Sequence, residues 1–110
     1  MKCTWTRRAL QEFRKVVEYI HNDFGKSAAM KFIEGVEKHD AHICDYPEIG
    51  SPEPLLKGCN GYVYRSFIVS KHNKLIYIVD SERKVTIVDV WDMRREPSKL
   101  VSRIKHNSPK

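Results

Sequence analysis

YVYRSFIVSKHNKLIYIVDSERKVTIVDVW, residues 62–91, is the segment from which the architecture can be inferred. Three runs within it, Tyr62–Val69, Leu75–Asp80 and Val85–Trp91, are rich in valine, isoleucine, tyrosine and phenylalanine, which favour strands. The residues between the runs include Asn73 and Ser81, which are typical of turns. The segment therefore predicts a three-stranded antiparallel meander.

The middle run is apolar at successive positions, Ile76, Tyr77, Ile78 and Val79, so both of its faces avoid water. We expect helices to cover one face of the sheet. A ligand, a partner or the C-terminal tail would cover the other.

Two helices are predicted before this segment. In the first, Thr6 is the expected cap and Gly25 the expected stop. Its apolar residues recur at steps of three and four: Leu10, Phe13, Val17, Ile20 and Phe24. The second begins near Lys26 or Ser27 and ends before Pro47. Its apolar residues are Ala29, Phe32, Ile33, Val36 and Ile43. The short connection predicts an antiparallel helical hairpin.

The order of elements completes the fold prediction. Lys2–Trp5 suits a short first strand, and the proline- and glycine-rich residues 47–61 suit a loop. The order β-α-α-β-β-β indicates an α+β fold in which the hairpin packs on an antiparallel sheet. We expect one domain over residues 1–100 and a basic C-terminal tail over 101–110.

The positive charge is concentrated near the C-terminus. The chain carries a net charge of +6, of which residues 94–110 contribute +5. The basic residues there are Arg94, Arg95, Lys99, Arg103, Lys105 and Lys110. Such a patch suits a polyanion or an acidic protein, and it also suits a solvated chain end.

Several classes of protein are disfavoured. No apolar run approaches the ~18 residues of a membrane span, and the N-terminal residues lack the apolar core of a secretory signal. We therefore expect a cytoplasmic protein with no membrane partner. The three cysteines, Cys3, Cys44 and Cys59, are odd in number and lack CxxC spacing, so we expect reduced, mostly buried thiols.

A metal site is also disfavoured. His39 and His42 are three residues apart, with Cys44 nearby, and this spacing can hold a metal on a helix. No fourth ligand follows at a recognisable distance. We expect no metal and no cofactor, and we expect His39 to pack on the apolar stripe or to face a partner.

A set of motifs along nearly the whole chain resembles the RelE/ParE toxin superfamily. They are Trp5 before the first helix, Ala9, Tyr19-Ile20, Phe24-Gly25, Pro47-Glu48-Ile49-Gly50, Tyr64-Arg65, the segment from Lys71 to Tyr77, and the segment from Val90 to Pro97. Each motif is weak alone, but their order and spacing are specific. The ending Asp92-x-Arg94-Arg95-x-Pro97 is similar to the ParE-like branch in particular.

The resemblance implies the toxin of a type II toxin–antitoxin system, of the plasmid stabilisation kind. Such toxins are neutralised by an antitoxin protein that wraps around them. RelE-like members cut messenger RNA in the ribosomal A site, whereas ParE-like members poison DNA gyrase. The fold alone does not choose between the two targets.

Cleavage of RNA would require cations to stabilise the phosphorane, together with a base and an acid. The candidate catalytic cations are Arg65, Lys74, Arg94 and Arg95. Alternatively these are solvated charges, with Arg65 pairing with Asp89 or Asp92. The candidate residues for binding the target or the antitoxin are Trp91, Arg94, Arg95, Lys99 and Arg103.

The acid and the base are harder to find. RelE-like enzymes commonly carry a tyrosine or histidine on the C-terminal segment, but here no tyrosine follows Tyr77. His106 near the chain end and His72 in a turn are the remaining candidates. This departure favours inhibition of gyrase by binding over messenger RNA cleavage. An inactive interaction module with the same fold is a third possibility.

Overall fold

The structure, a computed structural model, describes residues 1–106. Its helices and strands are β1 (Thr4–Trp5), α1 (Arg7–Phe24), α2 (Lys26–Asp45), β2 (Ser51–Pro52), β3 (Arg65–Ile68), β4 (Asn73–Val79), β5 (Val85–Asp92) and α3 (Pro97–His106). The predicted α+β fold is confirmed. Two elements were not predicted: β2, inside the proline-rich loop, and α3, which contains most of the basic residues expected in a tail.

Within these residues the sheet has five strands in the order β1-β5-β4-β3-β2. β3, β4 and β5 form the predicted antiparallel meander, and β1 pairs in parallel with β5. The register shifts between Ile76 and Tyr77, where β5 has one extra residue. Such a bulge changes which side chains of β5 face each layer.

The helical hairpin forms as its capping residues predict. The Thr6 hydroxyl accepts a hydrogen bond from the backbone N–H of Ala9 at 3.1 Å, which satisfies one free donor of α1. Gly25 separates the helices with φ of 94°, a value that side chains disfavour. The helices therefore reverse direction within one residue and pack together on the sheet.

The first core layer lies between the hairpin and one face of the sheet. Ala9 and Ile43 from the helices contact the strand residues Leu75, Tyr77 and Ile87, all fully buried. The inner surface of α1 is centred on Ala9, Phe13 and Val16. Phe24, which was predicted to lie on the buried stripe, is 68% exposed.

The opposite face of the sheet is covered by α3 and by the turns at Pro54–Leu56 and Cys59–Gly61. Ile76 and Trp91 from the strands pack there with Leu100 and Ile104 from α3. Because both faces of the sheet are covered, β4 is apolar on both of its faces. The boundary expected at residue 100, between the domain and a basic tail, falls inside the packed helix α3. Of the expected tail, residues 107–110 lie outside the described residues.

No helix in residues 1–106 is both long enough and apolar enough to cross a membrane.

Candidate functional site

A groove of about 500 Å³ runs beside α1, between that helix and the ends of the strands. We call it the α1 groove. Its apolar lining comes from Val16, Tyr19, Ile20, Phe24, Phe32 and Val90. Its basic and histidine lining comes from Lys15, Lys71, His72, Arg94 and Arg95, and its acidic lining comes from Glu12 and Asp92. The β3–β4 turn and the segment after β5 supply most of the basic residues. An open, partly apolar concavity with several cations around it is the strongest candidate site in the described part of the chain.

Arg94 and Arg95, two of the four candidate cations, both line this groove. Arg94 is paired with Asp92, whose carboxylate accepts from its Nε and Nη2 at 3.0 and 2.7 Å. This hydrogen bond from Arg94 lowers the pKa of Asp92 and raises that of the guanidinium. The guanidinium of Arg95 lies 5.0 Å from the ring centre of Trp91, within cation–π distance. Both arginines are exposed and can contact a partner.

Arg65 is not at the groove. Its Nη1 donates a hydrogen bond to the carbonyl of Gly50 at 2.7 Å. The alternative pairing with Asp89 or Asp92 is wrong, since those carboxylates pair with Arg103 and Arg94. The side chain therefore ties β3 to the loop before β2.

Lys74 is also committed within the protein. Its ammonium group forms an ion pair with Glu53, and both side chains are largely buried. Burial raises the pKa of Glu53, but the hydrogen bonds from Lys74 and from the Leu55 N–H lower it by more. Lys74 thus anchors the loop at residues 52–56 to β4 and does not share a surface with Arg94.

The Glu53–Lys74 pair gives a prediction about pH. Because the pKa of Glu53 is lower in the folded chain, its contribution to stability is present above the ordinary glutamate pKa and disappears as pH falls through the folded value. Glu53→Gln should lower the free energy of unfolding by about 3 kcal/mol at neutral pH and by much less at acidic pH. Urea unfolding of both proteins at two pH values tests this. An equal difference at both would contradict it.

The remaining predicted binding residues divide between surface and core. Lys99 is exposed on α3. Trp91 is only 2% exposed, so its ring belongs to the core beneath α3 and not to a contact surface. The guanidinium of Arg103 lies 5.0 Å from the same ring and is largely buried. Of these three residues, only Lys99 lies at the surface, where it can contact a partner directly.

Arg103 is the centre of a buried ionic cluster that the sequence did not reveal. Its Nε donates to Asp89 at 2.9 Å, its Nη2 pairs with the other carboxylate oxygen of Asp89, and its Nη1 lies 3.3 Å from Glu12. Asp89 is on β5, Glu12 is on α1 and Arg103 is on α3. β1 pairs with only the first part of β5, so the rest of that edge of β5 has no neighbouring strand among the described residues. At this free edge the cluster connects α1, on one face of the sheet, to α3, on the other.

The histidines are distributed over different surfaces. His72 lines the α1 groove beside Arg94 and Arg95. His106 is at the end of α3, where its Nδ1 lies 2.8 Å from the Ser102 carbonyl oxygen. His39 packs against Phe67 with ring centres 5.2 Å apart, as expected, and burial lowers its pKa.

Sequence reasoning missed part of the groove. Tyr19 and Phe24 form an exposed aromatic pair with ring centres 6.2 Å apart, and both line the groove. Phe24 follows Ile20 on the predicted apolar stripe and was therefore expected to be buried, and the sequence carries no signal that Tyr19 is exposed. In the structure, the exposure of these two large aromatic side chains marks this surface as a candidate contact site.

The comparisons with known proteins agree with this fold. The model of the family described as the ParE toxin of type II toxin–antitoxin system, parDE, matches residues 3–97. A solved structure described as the chromosomal ParDE TA system from P. aeruginosa is similar, with a TM-score of 0.65 and 15% sequence identity. The similarity covers 84% of this chain and 95% of that one. No curated protein matches the sequence. Since the family model covers most of the chain, this protein belongs to the ParE toxin family of type II toxin–antitoxin systems.

Proposed function

We propose that this toxin arrests growth by binding DNA gyrase, without breaking a covalent bond itself, and that an antitoxin protein neutralises it. The contact surface would be the exposed basic segment of Arg94, Arg95 and Lys99. Its position beside the apolar part of the α1 groove offers a partner both charge and buried area.

The strongest support for this proposal is that two of the four candidate catalytic cations are bound to other residues within the fold. Arg65 bonds to the carbonyl of Gly50, and Lys74 pairs with the buried Glu53. Phosphoryl chemistry requires cations directed at one phosphate. Only Arg94 and Arg95 of the four share an exposed surface, which suits a binding site better than a site for cleavage.

Messenger RNA cleavage on the ribosome is the second candidate, and one feature favours it. His72 lines the same groove as Arg94 and Arg95, with Tyr19 opposite on α1. In this alternative, His72 would accept the proton of the ribose hydroxyl and the arginines would bind the phosphate. His72→Ala should then abolish toxicity, whereas gyrase binding requires no imidazole base.

An antitoxin partner is supported by two observations. The similar solved structure is that of a chromosomal ParDE TA system. In addition, the net charge of +6 and the cationic surface beside the groove suit an acidic protein.

The target can be tested by controlled expression in a bacterial host. Growth, plasmid supercoiling and transcript ends are measured in the same cultures. We expect growth arrest with loss of negative supercoiling and intact transcripts. Cuts at codon boundaries with normal supercoiling would support the endonuclease, and unchanged growth would support an inactive interaction module.

Arg94→Ala combined with Arg95→Ala should relieve most of the toxicity while leaving the protein folded. The two side chains are exposed and lie outside the buried clusters, so their loss should change unfolding free energy by less than about 1 kcal/mol. The measurement is colony formation after induction, with circular dichroism of the purified variant.

Lys31→Ala combined with Lys38→Ala provides the matched control, because it removes two exposed cations from α2. This control should remain toxic. If the Arg94 and Arg95 variant is as toxic as the wild type, those arginines do not belong to the working surface.

A further inference from the structure

We propose that Cys3 and Cys44 form a reversible oxidation site, in which a peroxide converts the two thiols into a disulfide that joins the N-terminal segment to α2. Both thiols are free in the structure. Neither cysteine lines the α1 groove, so the site is independent of the surface proposed for gyrase.

The first observation is the position of Cys3 against the last turns of α2. Its thiol donates a hydrogen bond to the backbone carbonyl of Asp40 at 3.3 Å, and its N–H donates to the Asp40 carboxylate, also at 3.3 Å. The indole N–H of Trp5 donates to the same carboxylate at 2.7 Å. These bonds hold the Cys3 sulfur beside one particular turn of the helix.

The second observation is that Cys44 lies one helical turn after Asp40. Residues four apart share a helix face, and in a regular α-helix the Asp40 carbonyl also accepts the N–H of Cys44. The Cα–Cβ bond of a helical residue points toward the N-terminus of the helix, so the Cys44 side chain leans toward Asp40. The Cys44 thiol is accordingly a hydrogen-bond partner of Cys3. The fold therefore places the two sulfurs side by side.

The third cysteine, Cys59, is separated from this pair by the sheet. It is buried with Trp91 and Leu100 in the cluster that α3 covers. Cys3 and Cys44 belong to the core layer on the other face, between the helical hairpin and the sheet. Oxidation of the folded chain should therefore give one specific disulfide.

The exposure of the two thiols determines the order of the reaction. Cys44 is half-buried, whereas Cys3 is buried, and burial raises the pKa of the Cys3 thiol. The more accessible Cys44 therefore reacts first. Its sulfur attacks hydrogen peroxide and the O–O bond breaks. Cys44 becomes a sulfenic acid, and its thiol proton leaves with the departing hydroxide as water.

The second step closes the disulfide. The Cys3 sulfur attacks the Cys44 sulfur, an S–S bond forms, and the S–O bond of the sulfenic acid breaks. The leaving hydroxide takes the Cys3 proton and becomes a second water. In total the two thiols lose two electrons, and these electrons reduce one molecule of peroxide to water.

The disulfide would close a loop that contains the whole of α1 and nearly all of α2. A cross-link of this length restricts the unfolded chain strongly, which favours the folded state. We expect the melting temperature of the oxidised chain to exceed that of the reduced chain by about 10 °C.

The test is treatment of the purified, folded, full chain with hydrogen peroxide, after its reduction and removal of the reductant. Free thiols are then blocked with iodoacetamide and the chain is digested with trypsin. The three cysteines fall in separate peptides, residues 3–7, 39–57 and 58–65, so mass spectrometry identifies any linked pair. We expect peptide 3–7 linked to peptide 39–57, a blocked thiol in 58–65, and loss of the link after dithiothreitol.

Three variants separate the roles of the cysteines. Cys59→Ser is the matched control and should form the same disulfide, with the same rise in melting temperature. Cys44→Ser should form no disulfide and show no rise. In Cys3→Ala the sulfenic acid on Cys44 has no thiol to meet, so dimedone should label Cys44 in this variant more strongly than in the wild type.

Three outcomes would overturn the proposal: Cys3 and Cys44 stay unlinked in the treated chain, the disulfide includes Cys59 or joins two chains, or the melting temperature falls when the link forms. None of these depends on growth inhibition. Conversely, a chain that forms the disulfide but leaves gyrase active would refute the proposed function and retain the oxidation site.

Discussion

Arg103→Met is expected to lower the free energy of unfolding by about 3–5 kcal/mol, the largest single-residue effect that we predict outside the groove. The substitution leaves Asp89, which is fully buried, without its cation, and it leaves Glu12, which is nearly buried, with only the exposed Lys15 as an ionic partner. Burial raises the pKa of Asp89, and Arg103 opposes that change through its hydrogen bond and charge. Without the arginine, the Asp89 carboxylate must either stay charged in a site that excludes water or bind a proton. Both outcomes lower the stability of the folded chain.

Urea unfolding monitored by circular dichroism measures this effect. Lys99→Met, on the same helix but exposed, is the control and should change stability by less than about 0.5 kcal/mol. Combining Arg103→Met with Asp89→Leu and Glu12→Met should restore much of the loss, because no buried charge then remains. A loss below 1 kcal/mol for Arg103→Met would mean that the cluster does not hold α3 on the sheet.

Gly50→Ala is expected to destabilise the chain by about 3 kcal/mol. A Cβ atom at this position would lie 2.5 Å from the Tyr77 hydroxyl oxygen and 2.7 Å from the carbonyl oxygen of Ser66. The second atom belongs to the backbone of β3 and cannot turn aside. Tyr77 donates to the Pro47 carbonyl at 2.7 Å and accepts from the Gly50 N–H at 2.9 Å, so moving its ring would break two buried hydrogen bonds.

Gly35→Ala is the matched control, because it adds the same methyl group inside α2, where nothing lies within 4 Å. It should stabilise the protein by roughly 0.5–1 kcal/mol, the ordinary difference between glycine and alanine in a helix. Thermal unfolding of the two variants should therefore show shifts of opposite sign. Equal shifts, or a tolerated Gly50→Ala, would contradict the close packing of the residue 47–52 loop on β4.

The sequence predicted the meander and the hairpin well, because their residue patterns are local. The concentration of Val, Ile and Tyr in residues 75–79 and 85–91 defines the strands, and Thr6 and Gly25 mark the limits of α1. β2 could not be predicted, since a two-residue strand containing Pro52 forms only through its pairing with β3. α3 was missed because its few apolar residues, Leu100, Val101 and Ile104, lie among the cations Lys99, Arg103 and Lys105 and so resemble a solvated tail.

The candidate site was predicted less well. Sequence reasoning selected residues by charge, and charge does not reveal whether a side chain points toward solvent or toward a partner inside the protein. Lys74 and Arg103 proved to be structural for that reason, because each is paired with buried carboxylates distant in sequence. Arg94 and Arg95 remain exposed at a groove whose aromatic wall consists of Tyr19 and Phe24, and the sequence pattern does not distinguish these two from buried helix residues.

The most direct test of the central claim is an assay of DNA gyrase supercoiling with purified toxin, titrated from below to well above the enzyme concentration. We predict loss of supercoiling by the wild type and by the Lys31→Ala and Lys38→Ala control, and recovery of activity with the Arg94→Ala and Arg95→Ala variant. Full supercoiling at every concentration of folded wild-type toxin would contradict the claim that gyrase is its target.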